Sequence, residues 1–84
     1  MIHKMYCVYD SKVEAYMMPF YVQSKGQAIR MFAELANDKD TNVGKYPAEF
    51  TLFDLGEIDD SNAKFKLHST PIAVGVAIEF IKSE

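Results

Sequence analysis

One amphipathic helix pattern lies between two stretches of strand-forming residues, and this order restricts the fold more than any other feature. Apolar residues recur at helical spacing over residues 28–36, which predicts a helix with one buried face. Ser24 is a good N-cap, and Gln27 three residues later completes a capping box. The helix is therefore predicted to begin after Ser24 and to end near Asn37 or Asp38.

The stretch before the helix predicts a β-hairpin. Residues 4–10 are rich in strand formers, and a second strand is predicted over residues 15–23. Pro19 has no backbone N–H to donate, so this second strand must lie at a sheet edge or bend there. Polar residues 10–12 between the two segments fit a turn.

The stretch after the helix predicts a second hairpin, formed by residues 50–57 and 63–68. Residues 70–82 are ambiguous. Thr70 and Pro71 together make a good helix start, yet the apolar residues that follow alternate as in a strand. We favour a short C-terminal helix, with a strand as the alternative.

This order of elements predicts an α+β domain, in which two β-hairpins flank one amphipathic helix. The chain has 84 residues, too few for separate hydrophobic cores, so residues 1–84 are predicted to form a single domain. A domain of this size has a small stability margin, and forming a homodimer is one way to bury more surface.

Composition argues against several classes of protein. Apolar residues make up 49% of the chain and aromatic residues 13%, which argues against disorder. The formal net charge of −3 argues against a generic basic nucleic-acid-binding protein but says nothing of local patches. No apolar run approaches the roughly 20 residues that span a bilayer, and no signal peptide is recognised. The single Cys7 fits a reducing cytoplasm, because it cannot form an internal disulfide.

Motifs for catalysis or metal binding are absent from the sequence. The four glycines are isolated, so no phosphate-binding loop is predicted. His3, Cys7 and His68 are too scattered for a metal site, and nothing near Cys7 favours a reactive thiolate. The acidic residues from Asp54 to Asp60 fit a solvated hairpin turn better than a calcium loop. We therefore expect a protein that is not an enzyme and has no metal or cofactor.

The first hairpin carries the most informative pattern, because apolar residues occupy both of its faces. One alternating set is predicted to face the helix: Met5, Cys7, Tyr9, Tyr16, Met18, Phe20 and Val22. The second set then faces outward: Lys4, Tyr6, Val8, Met17 and Tyr21. Such an outward face fits a protein interface, in which Tyr and Met are enriched, or a surface on which unpaired bases stack. Two further interpretations stay open: the faces are inverted, or the last segment of the chain covers the outward face.

A candidate DNA-binding site follows from this assignment of faces. Tyr6 and Tyr21 are predicted to stack on unpaired bases. Nearby cations are predicted to contact phosphates, namely Lys4, Lys12, Lys25 and Arg30. Lys64, Lys66 and His68 form a second cationic row, which protection of an edge strand explains better than phosphate binding does.

The order of several segments resembles a viral family. The segments are Met5-Tyr6-Cys7-Val8-Tyr9-Asp10-Ser11-Lys12, Pro19-Phe20, Lys25-Gly26-Gln27-Ala28-Ile29-Arg30, Phe50-Thr51-Leu52-Phe53-Asp54-Leu55-Gly56-Glu57 with Asp59-Asp60, and Thr70-Pro71-Ile72-Ala73-Val74-Gly75-Val76-Ala77-Ile78-Glu79-Phe80. In this order they are similar to the small nonstructural protein of gokushoviruses, single-stranded DNA bacteriophages of the microvirus group. The resemblance covers nearly the whole chain. It departs at residues 59–63, a turn that lacks the expected glycine.

The resemblance implies an early, nonstructural protein of the host cytoplasm. It also implies a role in viral DNA replication, at the switch to single-strand synthesis coupled to packaging, and it supplies no catalytic residues. Our leading expectation is a non-catalytic accessory protein, a homodimer, that binds single-stranded DNA. The alternative is an interaction module that binds a phage or host replication protein without contacting DNA.

Overall fold

A five-stranded antiparallel sheet dominates the computed structural model, which describes residues 1–82. Its central strand β1 pairs with two short strands along one edge and with β4 along the other, and β4 pairs with the edge strand β5. The strands are β1 (Ile2–Asp10), β2 (Ala15–Tyr16), β3 (Phe20–Val22), β4 (Phe50–Asp59) and β5 (Lys64–Val76). The predicted second strand is divided into β2 and β3, and Pro19 lies at the break.

The predicted helix is confirmed as α1, Lys25–Ala36. The Ser24 hydroxyl accepts a hydrogen bond from the Gln27 backbone N–H at 3.2 Å, as an N-cap does. The Gln27 side chain accepts from the backbone N–H of Gln23 at 2.9 Å, one residue earlier than predicted. The described residues also include the short helix α2 (Asn42–Lys45) and the 3₁₀ turns Pro47–Glu49 and Ala77–Phe80.

The core lies between α1 and one face of the sheet. Phe32, in the middle of the helix, is 1% exposed and packs edge-to-face on Phe80 with ring centroids 5.8 Å apart. The buried cluster contains Tyr6, Val8, Val22, Ala28, Phe32, Ala36, Val43, Phe50, Leu52 and Ala77. Burying each large apolar side chain contributes about 1.5–3 kcal/mol. One helix packed on an antiparallel sheet confirms the predicted α+β class. The buried face of α1 is the face that the sequence pattern predicts.

The predicted faces of the first hairpin are wrong for β1. Tyr6 and Val8, predicted to face outward, lie in the core beneath α1, and Tyr6 is 1% exposed. The alternating residues Met5, Cys7 and Tyr9 therefore point to the opposite face of the sheet. The physical reason is register, because Val8 lies opposite the buried Leu52 of β4.

The predicted faces of the second strand are partly correct. Phe20 and Val22 do face α1, as expected. Tyr16 and Met18, predicted to join them, are exposed instead. The break at residues 17–19 lets the chain change direction between β2 and β3.

The favoured C-terminal helix is also wrong over residues 70–76, which continue β5. Only Ala77–Phe80 turn, as one 3₁₀ turn that packs against α1. Alternation of apolar residues prevails over the local helix-start signal here, since β5 extends an already paired strand along β4. Within residues 1–82, no helix is long and apolar enough to cross a membrane.

The hairpin of β4 and β5 projects beyond the helix. The molecule measures 44 × 26 × 18 Å, and its radius of gyration is 13.3 Å, against about 12 Å for a compact chain of this length. We call residues 57–68 the arm. The arm begins beside Gly56, whose φ of 130° is a conformation that favours glycine. It turns through Ala63, whose φ of 59° is left-handed. Ala63 therefore occupies a position at which the backbone conformation favours glycine, in the turn that lacks the glycine expected from the sequence resemblance.

Candidate functional site

The helix covers only one face of the sheet and leaves the other without a covering element. We call the uncovered side the helix-free face. Cross-strand pairs assign its members, because residues directly opposite each other share a face. Met5 lies opposite Tyr21, Cys7 opposite Phe53, and Tyr9 opposite Tyr16. This face is therefore rich in aromatic and sulfur-containing side chains.

Three aromatic rings form a cluster on this face. Tyr9 and Tyr16 have ring centroids 4.7 Å apart, and Phe53 lies edge-on to both at 6.3 and 5.7 Å. Each such pair contributes about 0.5–1.5 kcal/mol beyond the area that it buries. Cys7, the cross-strand neighbour of Phe53, is 2% exposed, and burial raises the pKa of its thiol. Cys7 therefore has the character of an inert, protonated thiol.

The segment that leads out of this cluster exposes large apolar side chains. We call residues 11–19 the apolar loop; it includes β2. Met18 is 86% exposed and Val13 is 68% exposed, and Met17 is also exposed. Methionine has a flexible, polarisable side chain that adapts to different partner surfaces. An apolar surface of this kind is typical of protein interaction sites.

The backbone of the apolar loop is held at several points. The backbone N–H and the hydroxyl of Ser11 both donate to the carbonyl oxygen of Glu49 at 2.9 Å. The backbone N–H of Met17 donates to the carbonyl of Val8 at 2.8 Å, and the Tyr16 ring packs in the aromatic cluster. A loop that is already ordered loses less conformational entropy when it binds.

Tyr6 does not lie where the predicted DNA site needs it. Its ring packs in the core, 6.3 Å from the Phe20 ring, and offers no exposed surface to a base. Burial, and then the nearby Asp54 carboxylate, raise the pKa of the Tyr6 phenol. Tyr21 is 52% exposed on the helix-free face, as predicted, so the two tyrosines lie on opposite faces of the sheet.

The four predicted phosphate contacts are dispersed. Lys4 is half-buried on the helix side of β1, and Lys12 lies beyond the opposite end of that strand, about 20 Å away by strand geometry. Lys12 is 4.0 Å from the Glu49 carboxylate. Lys25 is exposed at the start of α1, and Arg30 is exposed farther along it, in a groove that also contains Glu34 and Lys82. These cations do not form one strip.

Lys4 instead lines a cleft of mixed charge on the helix side of the arm. Its register partners are Glu57 on β4 and, beyond it, Lys66 on β5. The cleft has a volume of about 370 Å³ and also contains His68, whose Nε2 is 3.1 Å from an Asp54 carboxylate oxygen. Opposite charges alternate here, so the cleft does not attract one sign of ligand. Among residues 1–82, no group of three or more potential metal ligands converges.

The apolar loop was not predicted as a unit, because Met18 was assigned to the core by strand alternation. The signal that marks it is Pro19, which ends the alternation and leaves the preceding methionines without a covering helix.

Comparison with protein families identifies the class of protein to which this arrangement belongs. The chain matches the sequence model of the Phage ORF5 protein over residues 3–80, and it therefore belongs to that bacteriophage family. This result supports the phage origin that the sequence resemblance implies, at the level of a phage accessory protein. Neither the curated proteins nor the solved structures contain a significant match.

Proposed function

We propose that this protein is a non-catalytic accessory of phage DNA replication that acts by binding a phage or host replication protein through the apolar loop. The single observation that carries the proposal is the exposure of Val13, Met17 and Met18 on a backbone held by hydrogen bonds. Membership of the phage family supports an accessory role. The replication setting, the host cytoplasm and a gokushovirus source rest on the sequence resemblance.

Several observations favour protein over DNA as the partner. The net charge is −3, the proposed stacking residue Tyr6 is buried, and the proposed phosphate contacts lie at separate places. The apolar loop itself carries one cation, Lys12, and one anion, Glu14. Binding through such a surface depends on apolar contact more than on phosphate neutralisation.

The test is a binding measurement between the nuclease-treated protein and the purified phage initiator or host replication proteins. We expect a complex that survives the nuclease. Combining Val13→Ser with Met18→Ser should weaken it by about tenfold or more, because two apolar anchors are lost. Met31→Ser is the matched control, since Met31 is exposed on α1, away from the loop. A complex that is insensitive to the loop substitutions, or that disappears with nuclease, contradicts the proposal.

Single-stranded DNA binding is the second candidate function, favoured by the exposed ring of Tyr21 and the exposed cations Lys12, Lys25 and Arg30. Labelled oligonucleotides titrated across a salt series test it. Binding should weaken as salt rises, because phosphate contacts release counterions. Tyr21→Ala should cost about 1–3 kcal/mol of binding free energy. Absence of binding at low salt, or binding indifferent to salt, excludes this candidate.

A further inference from the structure

The helix-free face continues from the sheet onto the arm, where it forms a second apolar surface. We call Tyr21, Ile58, Phe65 and Leu67 the arm patch. Phe65 lies opposite Ile58, and Leu67 lies opposite Gly56. On β1, Met5 lies opposite both Gly56 of β4 and Tyr21 of β3, so all these residues share one face. Leu67 is 60% exposed, and Tyr21 and Phe65 are each 52% exposed. No other element of the described chain covers these side chains.

The two faces of the arm differ in charge. The helix side carries rows in which Lys66 lies opposite Glu57 and Lys64 lies opposite Asp59. The arm patch contains no Lys, Arg, Asp or Glu side chain. His3 lies within the patch, opposite Ile58 and beside Tyr21, and its Nε2 is 2.6 Å from the carboxylate of Asp60 at the margin. A neutral apolar patch can face an identical copy of itself without repulsion between like charges, as a two-fold interface requires.

The molecule as a whole exposes more surface than a compact monomer of its mass. The chain exposes 5762 Å², whereas a compact monomer of this mass exposes about 5,050 Å². The excess of about 700 Å² is close to the roughly 800 Å² that each partner buries in a standard interface. The projecting arm, exposed from Asp60 onward, accounts for the elongated shape.

The edge of the sheet is a poorer docking site than its face. β5 is the edge strand, and its pairing with β4 is irregular between Leu67 and Ile72. Pro71 lies in this irregular stretch and cannot donate a ladder hydrogen bond. Lys64 and Lys66 further disfavour edge-to-edge pairing. These features argue against extension of the sheet from one copy to the next.

We propose that a second copy of this chain packs on the arm patch, sheet face against sheet face, around a two-fold axis. Tyr21, Phe65 and Leu67 of each copy then lie at the centre of the interface, with the sheets about 10 Å apart. The apolar loop lies at the other end of β1 and stays free. The homodimer is therefore independent of the proposed binding of a replication protein.

The experiment measures the molar mass of the full chain by light scattering after size exclusion, across a dilution series. We expect a mass near twice 9.5 kDa at the higher concentrations, with reversible dissociation on dilution. Leu67→Lys places a cation in the interface from each copy, and it should shift the midpoint of dissociation to at least about tenfold higher concentration. Circular dichroism checks that this variant is folded.

Ile72→Lys is the matched control, because Ile72 belongs to the same strand, is 51% exposed and lies opposite Asp54 on the helix side. This variant should dimerise like the unchanged protein. A monomer at every concentration, or a folded Leu67→Lys variant that dimerises normally, overturns the proposal. If Leu67→Lys does not fold, Leu67→Ser replaces it, and the same shift of the dissociation midpoint to higher concentration is expected. Binding to replication proteins by a monomeric chain would leave the proposed function intact.

Discussion

The covered part of the sheet and the arm are built from the same strands, but their large apolar side chains differ in how far they are buried. Where α1 lies across the sheet, Tyr6, Phe32 and Leu52 are at most 1% exposed. On the arm of the same hairpin, Phe65 and Leu67 are more than half exposed. The same strands form both regions. The side chains beneath α1 are buried, and on the helix-free face burial is limited to residues near the middle of the sheet such as Met5 and Cys7.

This difference shows that alternation along a strand does not decide which residues are core. Both faces of β1 are apolar, and α1 determines which of them is buried beneath a helix. The helix-free face has the composition of an interior, although most of its large side chains outside Met5 and Cys7 are exposed or half-buried. Substitutions in the covered region should therefore change folding, and those on the arm should change association, with smaller effects on the monomer.

The largest expected effect is at the centre of the covered region. Phe32→Ala removes a ring that is 1% exposed and packs on Phe80, and it should cost about 3–5 kcal/mol of unfolding free energy. Urea denaturation measures this loss. Met31→Ala, one residue away but exposed, should stay within about 0.5 kcal/mol of the unchanged protein. Similar midpoints for both variants would contradict the assigned helix face.

The next largest effect is at the base of the arm. In Gly56→Ala the added Cβ would collide with the backbone carbonyl of Lys66 and lie 2.8 Å from the Leu67 Cα, at a φ of 130°. We expect a loss of about 2–4 kcal/mol from backbone strain and displaced strands. Gly26→Ala is the control, because a Cβ added at Gly26, in the first turn of α1, would meet only the Ser24 hydroxyl oxygen, at an ordinary contact distance of 4.0 Å. Gly26→Ala should raise the free energy of unfolding by about 0.4–1 kcal/mol. In one melting assay, the two variants should therefore shift the melting temperature in opposite directions.

A smaller effect of the opposite sign is expected at the tip of the arm. Ala63 has a φ of 59°, a conformation that costs an L-residue about 1–2 kcal/mol relative to glycine. Ala63→Gly should therefore raise the free energy of unfolding by about 1 kcal/mol. Ala48→Gly, at an exposed alanine in a 3₁₀ turn without positive φ, should lower it. A destabilised Ala63→Gly variant would argue against the turn geometry.

The smallest effect is at the contact between the arm and the start of β1. The hydrogen bond from the Met1 amino group, followed by that with His3, lowers the pKa of Asp60 from its ordinary value of 3.8. Because the folded pKa is depressed, this stabilisation is present above about pH 4 and is lost as the pH falls through the folded pKa. The same contact raises the pKa of the amino group from 8.0, so its contribution is lost at alkaline pH above that raised value.

Melting temperatures of the unchanged protein and of Asp60→Asn across pH 2–10 test this contact. The difference should be small at neutral pH, because Asp60 is half exposed, and it should shrink towards both extremes. Asp40→Asn, in the exposed loop before α2, is the control and should show no such profile. A difference that grows on acidification would contradict the sign of the shift.

The sequence predicted those elements whose signals are local. Ser24 and the spacing from Ala28 to Ala36 were sufficient for α1, and strand formers were sufficient for β1 and β4. The faces of β1 were not predictable, because Met5, Cys7 and Tyr9 are as apolar as Tyr6 and Val8, and only pairing with the distant β4 distinguishes them.

The same limit applies to the candidate site. The enrichment of Tyr and Met in the first hairpin was visible in the sequence. Tyr21 and Met17 are exposed in the structure, as predicted. Its actual members also include Met18 and Tyr16, and they depend on where Pro19 interrupts the strand. The length of β5 was likewise decided by its pairing with β4 rather than by the helix-start signal at Thr70.

The central position of β1 has a consequence for the order in which the sheet forms. Its partners β2 and β3 end at Val22, close to β1 in sequence, whereas its other partner, β4, begins only at Phe50 and ends at Asp59. Pairing with β4 closes a long loop and is therefore the slower step. Until it is complete, the hairpin of β1, β2 and β3 has an unpaired edge and two apolar faces, and the chain is most prone to aggregation in that state.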